Sequence, residues 1–355
     1  MRALVLAGGS GTRLRPITLA MPKQLIPVGG RPVVFHCLDN IRAAGITEVG
    51  IVVGEWEDVI REAVGDGSAF GLRVTYLRQD APRGLAHAVL IARDFLGDDD
   101  FVLYLGDNVL AGGIGELVAE FATVGPDAQL AVGKVTDVSE YGIATLDAER
   151  RVTGVQEKPQ SSTSDLAVIG VYLFGPRIHE AVRAVDVSAR GELEITDAIQ
   201  WLISTGHDVR GSTYEGYWKD TGNADDLLEC NRTLLAPLEP RVDGSVDAAS
   251  KLTGPVLIGA GARILSSEIH GPAVVGPGSV VRDSTLGPFT TVGAGCLLEG
   301  ACLDESIVLD GASLRQVHGV SRLLIGGAYG APAGSAGAGG LSLVLGDNRV
   351  PVAHR

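Results

Sequence analysis

A 17-residue spacing in the second half of the chain limits its fold more than any other feature of the sequence. Ile258, Val275, Val292 and Leu309 follow one another at this interval, and the first three open "IGAGAR", "VGPGSV" and "VGAGCL". Between them, aliphatic residues recur five or six positions apart: Ile264, Ile269, Val281, Leu286, Leu298 and Leu303. Three short runs per repeat predict a triangular parallel β-helix, in which one aliphatic side chain per face points inward and glycine turns the corners. A Gly-rich loop with accidental spacing is the alternative, which the three matching glycine registers disfavour.

The first 235 or so residues instead alternate short apolar runs with helical segments. Strands are predicted at 2–8, 48–54, 73–79 and 100–108, and helices at 33–45, 57–67 and 84–97. This alternation predicts an α/β fold with a Rossmann-like, mostly parallel sheet that carries helices on both faces. Ligands bind at the carboxyl ends of the strands in such sheets. Gly8, Gln79 and Asp107 all fall at predicted strand ends and are expected to face one crevice.

At 355 residues the chain is longer than one typical domain. We expect an α/β domain over 1–240, the β-helix over 241–330, and a Gly/Ala-rich linker with a terminal strand over 331–355. The segment "LSLVLGDNRVPV" (341–352) is the candidate for that strand, and the sequence indicates no partner for it.

The charge and cysteine content narrow the class of ligand. A formal net charge of −14 argues against binding to nucleic acid or to a membrane surface, because both are anionic. The chain contains no apolar run long enough to span a bilayer, and "MRALVLAGG" predicts a strand rather than a signal peptide. Four scattered cysteines without a CxxC pair favour the reducing cytoplasm. Local basic residues in such an acidic chain indicate a small anionic ligand.

Basic residues of this kind follow the first strand, in "LAGGSGTRLRPITLAMPKQLIPV" (6–28). The segment lacks the Gly-Lys-Ser/Thr of a Walker A motif, and it has GxxGxR where a dinucleotide fingerprint has GxGxxG. The glycines alone are equally compatible with a plain tight turn. Arg13 and Lys23 favour a polyphosphate ligand, since backbone N–H groups and fixed cations bind its oxygens.

Asp107 ends another apolar run, and further charged residues stand in other short motifs. Asp107 lies in "LYLGDN" and Asp220 in "YWKDTGN"; either alone is more typical of a cap or turn. Together they match Mg²⁺, which takes one or two carboxylates beside phosphate oxygens and water. Glu157 and Lys158 are adjacent in "QEKP", where a bend would let both reach a ligand and a surface ion pair is the alternative.

These groups suit attack by a sugar phosphate on the α-phosphorus of a nucleoside triphosphate. A sugar phosphate is already ionised and needs no general base. The reaction needs in-line positioning, neutralisation of two anions, and a stabilised pyrophosphate leaving group. Cations, Mg²⁺ and backbone N–H groups supply all three.

At these residues the chain resembles the sugar-1-phosphate nucleotidylyltransferases. After the Gly-rich segment the match continues, in the family's order, through "RQDAPRGLAHA", "LYLGDN", "EYGIATLD", "VQEKP", "AVIGVYLF", "ARGELEITDA" and "YWKDTG". "KQL" resembles the glucose-1-phosphate thymidylyltransferase branch, and the tail resembles the long-form members, which end in a left-handed β-helix. The resemblance implies Mg²⁺-dependent synthesis of dTDP-glucose and pyrophosphate from dTTP and glucose-1-phosphate. It also implies a cytoplasmic homo-oligomer in which 1–240 is catalytic.

The resemblance assigns the family's roles to matching positions. Gly8, Gly9 and Gly11 would line the nucleotide site, and Gln79 and Gly84 would hold the thymine. The triphosphate and the departing pyrophosphate would meet Arg13 and Lys23.

The remaining roles concern the metal and the sugar. Asp107 and Asp220 would bind Mg²⁺. Glucose would be held by backbone groups of Gly142 and Val168 and by the carboxylate of Glu157. The sugar phosphate would contact Lys158, assisted by Arg190.

Two departures leave the substrate preference open. His87 stands where Gln is common in the family, and Lys219 where Leu is common. UTP or N-acetylglucosamine-1-phosphate therefore remain alternative substrates. The tail also resembles acyltransferases, for which His270 and His318 are available, although nothing in the sequence pairs with either.

Two other classes of protein share these features. One is a regulatory subunit that binds sugar nucleotides without turnover, and the other is a scaffold whose β-helix is the working part. Neither class requires the candidate catalytic residues to be intact. That set is complete here: Arg13, Lys23, Asp107, Lys158 and Asp220.

Overall fold

The computed structural model describes residues 1–9, 11–326, 328–330 and 343–346. By their internal contacts the residues fall into two compact units. The first contains Met1–Ser10 and Val34–Asp220, and the second contains Gly11–Val33 and Thr221–Arg355. The boundaries expected at 240 and 330 stay predictions, and the predicted linker over 331–340 lies outside the described residues.

The first unit has the predicted α/β architecture, built on a nine-stranded sheet and a two-stranded ribbon. Its strands are β1 (Arg2–Leu6), β2 (Glu48–Val53), β3 (Arg73–Arg78), β4 (Phe101–Leu105), β5 (Asn108–Leu110), β6 (Ala128–Lys134), β7 (Gly142–Leu146), β8 (Val152–Glu157), β9 (Leu166–Phe174), β10 (Val209–Thr213) and β11 (Trp218–Asp220). The sheet runs β8-β7-β9-β4-β1-β2-β3, with β6 beside β9 and β10 beside β6, while β5 pairs with β11.

Strands β3, β2, β1 and β4 are parallel and lie in the Rossmann order. Strands β1, β2 and β4 are buried apolar runs, as expected for parallel strands that helices cover, whereas β3 alternates exposed and half-buried residues at the edge of the sheet. Strand β9 runs antiparallel to its neighbours β4, β6 and β7. The strand order reverses on either side of β1, so the carboxyl ends of β1 and β4 form the crevice where such folds bind ligands.

The helices of this unit are α1 (Val33–Ala43), α2 (Glu57–Val64), α3 (Leu85–Ile91), α4 (Arg93–Leu96), α5 (Gly115–Val124), α6 (Ile178–Ala184) and α7 (Ile195–Ser204). Short 3-10 turns span Ser68–Phe70 and Val138–Glu140. The single helix predicted over 84–97 is wrong, because the chain leaves helical geometry at Ala92, where φ is −84° and ψ is 0°. Helix α7 buries Ile195, Ala198, Ile199 and Leu202, the spacing of one helical face.

The second unit begins with 3-10 turns at Thr12–Leu14, Ile17–Leu19 and Lys23–Leu25, followed by the paired strands Pro27–Val28 and Arg31–Pro32. Helix α8 (Ala224–Leu235) is capped by Asn223, whose side chain accepts from the Asp226 N–H at 2.9 Å. Within this unit the buried Asn231 joins α8 to the strands that follow. It donates to the Phe289 carbonyl at 2.9 Å and accepts from the Thr291 hydroxyl at 2.7 Å.

Three sheets form the faces of the left-handed parallel β-helix that the sequence predicts. The first contains Arg241–Val242, Val256–Ile258, Ala273–Val275, Thr290–Val292, Ile307–Val308, Leu323–Gly326 and Leu343–Gly346. The second contains Ser245–Val246, Arg263–Leu265, Val280–Arg282, Leu297–Glu299, Ser313–Arg315 and Ala328–Gly330. The third contains Lys251–Thr253, Glu268–His270, Thr285–Leu286, Cys302–Asp304 and Val320–Ser321.

The predicted register holds for the first coils and then shifts by one residue. Ile258, Val275 and Val292 stack directly, as predicted. The prediction for Leu309 is wrong, because Val308 pairs with Val292. The corner between Leu303 and Ile307 is one residue shorter than the equivalent corner of the preceding coil, between Leu286 and Thr291. The later inward positions therefore fall one residue earlier in the sequence than a 17-residue spacing predicts.

The terminal strand has a partner that the sequence did not indicate. Leu343–Gly346 pairs antiparallel with Leu323–Gly326, at the end of the first sheet. All other strand pairs of the β-helix are parallel.

Candidate functional site

The predicted site residues of the first unit begin at the carboxyl ends of neighbouring strands. Leu6, the last residue of β1, is in register with Leu105, the last residue of β4. Gly8 and Gly9 follow β1, and Asp107 follows β4. The structure therefore brings the first glycines of the loop and the candidate metal carboxylate to the same edge of the sheet.

Gln79 follows β3 and turns its side chain toward that loop. A Cβ added to Gly8 would lie 3.7 Å from Oε1 of Gln79. The other end of the amide is held by two groups of the next segment: Nε2 donates to the Gly84 carbonyl at 3.3 Å and lies 3.0 Å from Nδ1 of His87. The predicted nucleotide residues Gly8, Gln79 and Gly84 thus lie together.

Gly84 must be glycine for two reasons. Its φ is +97°, and a Cβ would lie 2.8 Å from the Leu193 nitrogen and closer still to the Leu193 carbonyl oxygen. Leu193 also donates to the Arg83 carbonyl at 2.8 Å, and Ala86 donates to the Leu193 carbonyl at 3.1 Å. The loop that carries Gly84 is therefore fixed against the segment "ARGELEIT", which carries Arg190.

The two candidate metal ligands lie at one end of the two-stranded ribbon: Asp107 directly precedes β5, and Asp220 is the last residue of β11. In the ribbon of β5 and β11, Asp220 is directly opposite Asn108, the residue after Asp107. Asn108 is only 3% exposed, and its Nδ2 donates to Oδ1 of Asp107 at 3.0 Å. The indole N–H of Trp218 donates to Oδ1 of Asn108 at 2.7 Å. We call this chain of hydrogen bonds the Trp218–Asn108–Asp107 relay.

The relay needs a glycine on the neighbouring strand. Gly170, in β9, has φ of +76°, and a Cβ there would lie 2.7 Å from Cγ of Asn108. Sequence reasoning did not assign a role to Gly170, Asn108 or Trp218. Their only signal was their place inside the motifs "AVIGVYLF", "LYLGDN" and "YWKDTG".

The donor set fits Mg²⁺ bound to phosphate rather than a metal caged by protein. Among the described residues, no group of three or more His, Cys, Asp or Glu is placed to hold a metal ion. Two neighbouring carboxylates leave most of an octahedral shell to water and substrate oxygens, which is how Mg²⁺ is usually held beside a phosphate.

The predicted sugar residues also lie close together. Gly142 and Glu157 are register partners on β7 and β8. The Glu157 carboxylate accepts from Thr196 Oγ1 at 3.2 Å through Oε2, and from Arg190 Nη1 at 2.9 Å through Oε1. Arg190 further approaches Glu194 at 3.6 Å. Thr196 is a contact that sequence reasoning missed.

Lys158 stands in the bend that "QEKP" predicts. Its φ is +42°, a left-handed conformation that costs a side-chain-bearing residue about 1–3 kcal/mol. Its N–H donates to the Tyr141 carbonyl at 3.0 Å, and the Tyr141 ring packs edge-on against Trp218 with centroids 5.4 Å apart. Val168 lies on β9, two residues before Gly170 and 5% exposed.

The second unit holds the remaining predicted residues of the Gly-rich loop. Gly11 has φ of +59°, and its carbonyl accepts from the Thr18 hydroxyl at 2.7 Å. A Cβ on Gly11 would lie 3.4 Å from Cβ of Lys23, so these two residues are neighbours. Arg13 lies in the Thr12–Leu14 turn and is exposed.

The histidines considered for acyl transfer lie in the β-helix. Contrary to the expectation from sequence, His270 has a partner: its Nε2 lies 3.6 Å from the Glu268 carboxylate. Both side chains are largely exposed, so the pair has the character of a surface contact.

Comparison with known proteins gives consistent matches. The sequence pattern of the nucleotidyl transferases matches residues 2–236. A protein of Streptomyces griseus named glucose-1-phosphate thymidylyltransferase is 52% identical over 326 residues, 92% of each chain. One of the same name from Streptomyces antibioticus is 51% identical over 327 residues, again 92% of each. A solved structure from Bacillus anthracis, assigned as glucose-1-phosphate thymidylyltransferase and in complex with a sucrose, has a TM-score of 0.62 and 34% identity over 66% of this chain and 95% of its own.

Proposed function

Because this chain belongs to the nucleotidyl transferase family, we propose that it transfers the thymidylyl group of dTTP to glucose-1-phosphate, giving dTDP-glucose and pyrophosphate. The observation that carries this proposal is the likeness to two thymidylyltransferases over 92% of the chain. The candidate site residues at the carboxyl ends of the strands support it.

A metal ion belongs to this chemistry, since the family generally uses a divalent cation. We propose Mg²⁺, held by Asp107 and Asp220. When bound, it would neutralise phosphate oxygens of the nucleotide and of the leaving pyrophosphate. The relay supports this role, because the hydrogen bond from Asn108 to Oδ1 orients the Asp107 carboxylate.

The nucleotide side of the reaction needs backbone donors and fixed positive charge. We propose that Gly8 and Gly9 let the loop after β1 approach the nucleotide closely, and that Gln79 and Gly84 hold the base. For the second unit we propose that Gly11, Arg13 and Lys23 bind triphosphate oxygens. Cations near the departing pyrophosphate lower the barrier by neutralising charge that develops there.

The sugar side requires orientation rather than proton transfer. A sugar phosphate is largely a dianion at neutral pH, so it attacks without a general base. We propose that Glu157 and backbone groups of Gly142 and Val168 bind the glucose hydroxyls. Lys158 and Arg190 would hold the phosphate. The Arg190–Glu157 ion pair supports this, because it brings the two side chains together beside Gly142, the register partner of Glu157.

The test is pyrophosphate release in the presence of Mg²⁺. dTTP, UTP, CTP, ATP and GTP are each combined with glucose-1-phosphate and with N-acetylglucosamine-1-phosphate. We expect the highest kcat/KM for dTTP with glucose-1-phosphate. A different best pair would keep the reaction and change the substrates. Folded protein that binds sugar nucleotides without turnover would instead support the regulatory-subunit alternative.

Assembly and location also stay proposals. We propose a homo-oligomer, to be tested by light scattering on the purified chain, where a monomer mass would refute it. Among the described residues no helix is long and apolar enough to cross a membrane. All four cysteines are free thiols, which is in keeping with the cytoplasmic location that we propose.

A further inference from the structure

His87 contacts Gln79, which we propose binds the nucleotide base. It lies on α3, is half-buried, and places Nδ1 3.0 Å from Nε2 of Gln79. The amide nitrogen of Gln79 can only donate, so Nδ1 of His87 must accept, and the neutral ring must carry its proton on Nε2. The same amide nitrogen donates its second hydrogen to the Gly84 carbonyl at 3.3 Å.

These two contacts leave Gln79 one group with which to meet a base. Both hydrogens of its Nε2 are engaged by His87 and Gly84. Oε1 is the end of the amide that no residue described by the structure engages, and it lies on the side of Gly8. A carbonyl oxygen accepts hydrogen bonds and donates none. Gln79 therefore presents an acceptor, and not a donor, to the base edge that approaches it.

We propose that His87 is a positioning residue for base specificity, which locks the Gln79 amide with Oε1 toward the nucleotide loop. The inference rests on the proposed function. Thymine and uracil carry an N–H at ring position N3, which Oε1 can accept. Cytosine has a lone pair at N3, which Oε1 repels. His87 thus favours a pyrimidine with a ring N–H over cytosine, without itself touching the base.

The protonation state of His87 supports this arrangement. Burial, followed by the positive charge of Arg83, lowers the pKa of His87 below its ordinary value of 6.5, while Asp80 opposes them. Arg83 and Asp80 pair with each other at 2.6 Å in the loop before α3. Helices α4, α6 and α7 pack on α3, and among the described residues they supply no further charge that shifts this pKa. The ring is therefore neutral, and Nδ1 remains an acceptor, at neutral pH.

The amide would be less well fixed without His87. The Gly84 carbonyl would still favour the same orientation, but through a single long hydrogen bond. A typical protein hydrogen bond contributes a net 0.5–1.5 kcal/mol, which corresponds to about two- to tenfold in the ratio of the two amide orientations. Base discrimination should fall by a similar factor.

The experiment compares dUTP with dCTP, which differ only at the base edge in question. kcat/KM is measured for both with glucose-1-phosphate, in the wild type, His87→Leu and His87→Gln. Leucine has no acceptor at this position, whereas the glutamine side chain can accept from Gln79 through its carbonyl oxygen. We expect His87→Leu to lower the dUTP/dCTP ratio about two- to tenfold, with the KM for glucose-1-phosphate unchanged, and His87→Gln to restore it.

Calorimetric titration with the same nucleotides separates this inference from the proposed function. If the wild type binds dUTP better than dCTP and His87→Leu loses that preference, the inference stands whether or not dTDP-glucose is formed. A wild-type ratio in His87→Leu would overturn it. An equal loss of affinity for both nucleotides that His87→Gln does not reverse would also overturn it, because that pattern indicates a structural role.

Discussion

Replacement of Trp218 by phenylalanine removes one hydrogen bond from the Trp218–Asn108–Asp107 relay and keeps a six-membered aromatic ring at this position. Phenylalanine keeps an aromatic edge for Tyr141, whose centroid is 5.4 Å from that of Trp218. It cannot donate to Oδ1 of Asn108, which now receives the indole N–H at 2.7 Å. Asn108 is 3% exposed, so water has little access to replace the lost donor.

Two magnitudes follow from this geometry. A buried acceptor that loses its partner costs about 1–3 kcal/mol, so the free energy of unfolding should fall by that amount. The Asn108 amide is also freed to turn, which weakens its 3.0 Å hydrogen bond to the Asp107 carboxylate. Loss of a group that orients a metal ligand typically lowers metal affinity by about 10–100-fold. We expect the Mg²⁺ concentration for half-maximal pyrophosphate release to rise by about tenfold or more.

The assay is a Mg²⁺ titration of pyrophosphate release at saturating substrates, with Mn²⁺ binding by electron paramagnetic resonance as a readout independent of turnover. Trp201→Phe is the matched control, since Trp201 lies on α7 and stacks on His207 with centroids 6.1 Å apart, outside the relay. Both variants lose an indole, but only Trp218→Phe should change the metal requirement. If the Mg²⁺ requirement of Trp218→Phe equals that of Trp201→Phe and of the wild type, the relay does not orient the metal ligand.

Three further predictions concern single residues. Asp107→Asn should lower kcat by about 100-fold or more while Tm stays near that of the wild type; near wild-type pyrophosphate release would remove its role at the metal. Gly170→Ala should reduce the free energy of unfolding in urea by about 1–3 kcal/mol, because φ is +76° and the new Cβ would lie 2.7 Å from Cγ of Asn108; unchanged stability would contradict this. The dUTP/dCTP ratio of the wild type should fall as the pH drops below the lowered pKa of His87, because the protonated Nδ1 becomes a donor; the ratio in His87→Gln should stay flat, and a parallel fall there would assign the effect to another group.

The α/β alternation and the β-helix were predictable because each rests on a local pattern. Buried parallel strands require short apolar runs, and the runs at 2–8 and 48–54 stand where β1 and β2 form. The β-helix repeats a pattern of inward aliphatic residues at a nearly fixed interval, which the sequence displays directly. The shift at Val308 was not predictable from spacing alone, since one corner residue fewer leaves the aliphatic pattern almost unchanged.

The break at Ala92 and the left-handed Lys158 escaped prediction for a different reason. Alanine is the best helix former, so nothing in the local sequence marks an end to the helix there. A lysine gives no sign of positive φ either, and its conformation is supported by the hydrogen bond to the Tyr141 carbonyl. In both cases the surroundings override the local preference of the residue.

The candidate site was predictable as a set of residues and not as a network. Asp107 was found from its place after an apolar run, Asp220 from its motif "YWKDTGN", and both from the family resemblance. The link between Trp218 and Asn108 joins residues 110 positions apart and depends on the pairing of β5 with β11. No periodicity in the sequence reports such a pairing. The roles assigned to individual site residues stay predictions.

The most direct measurement follows the oxygen atoms of glucose-1-phosphate. The sugar phosphate is labelled with ¹⁸O on its three non-bridging oxygens and incubated with dTTP and Mg²⁺, and the products are analysed by ³¹P nuclear magnetic resonance. Direct attack on the α-phosphorus of dTTP places all of the label in dTDP-glucose and none in pyrophosphate. Label in pyrophosphate, or release of pyrophosphate without a sugar nucleotide, would show that the proposed transfer does not occur.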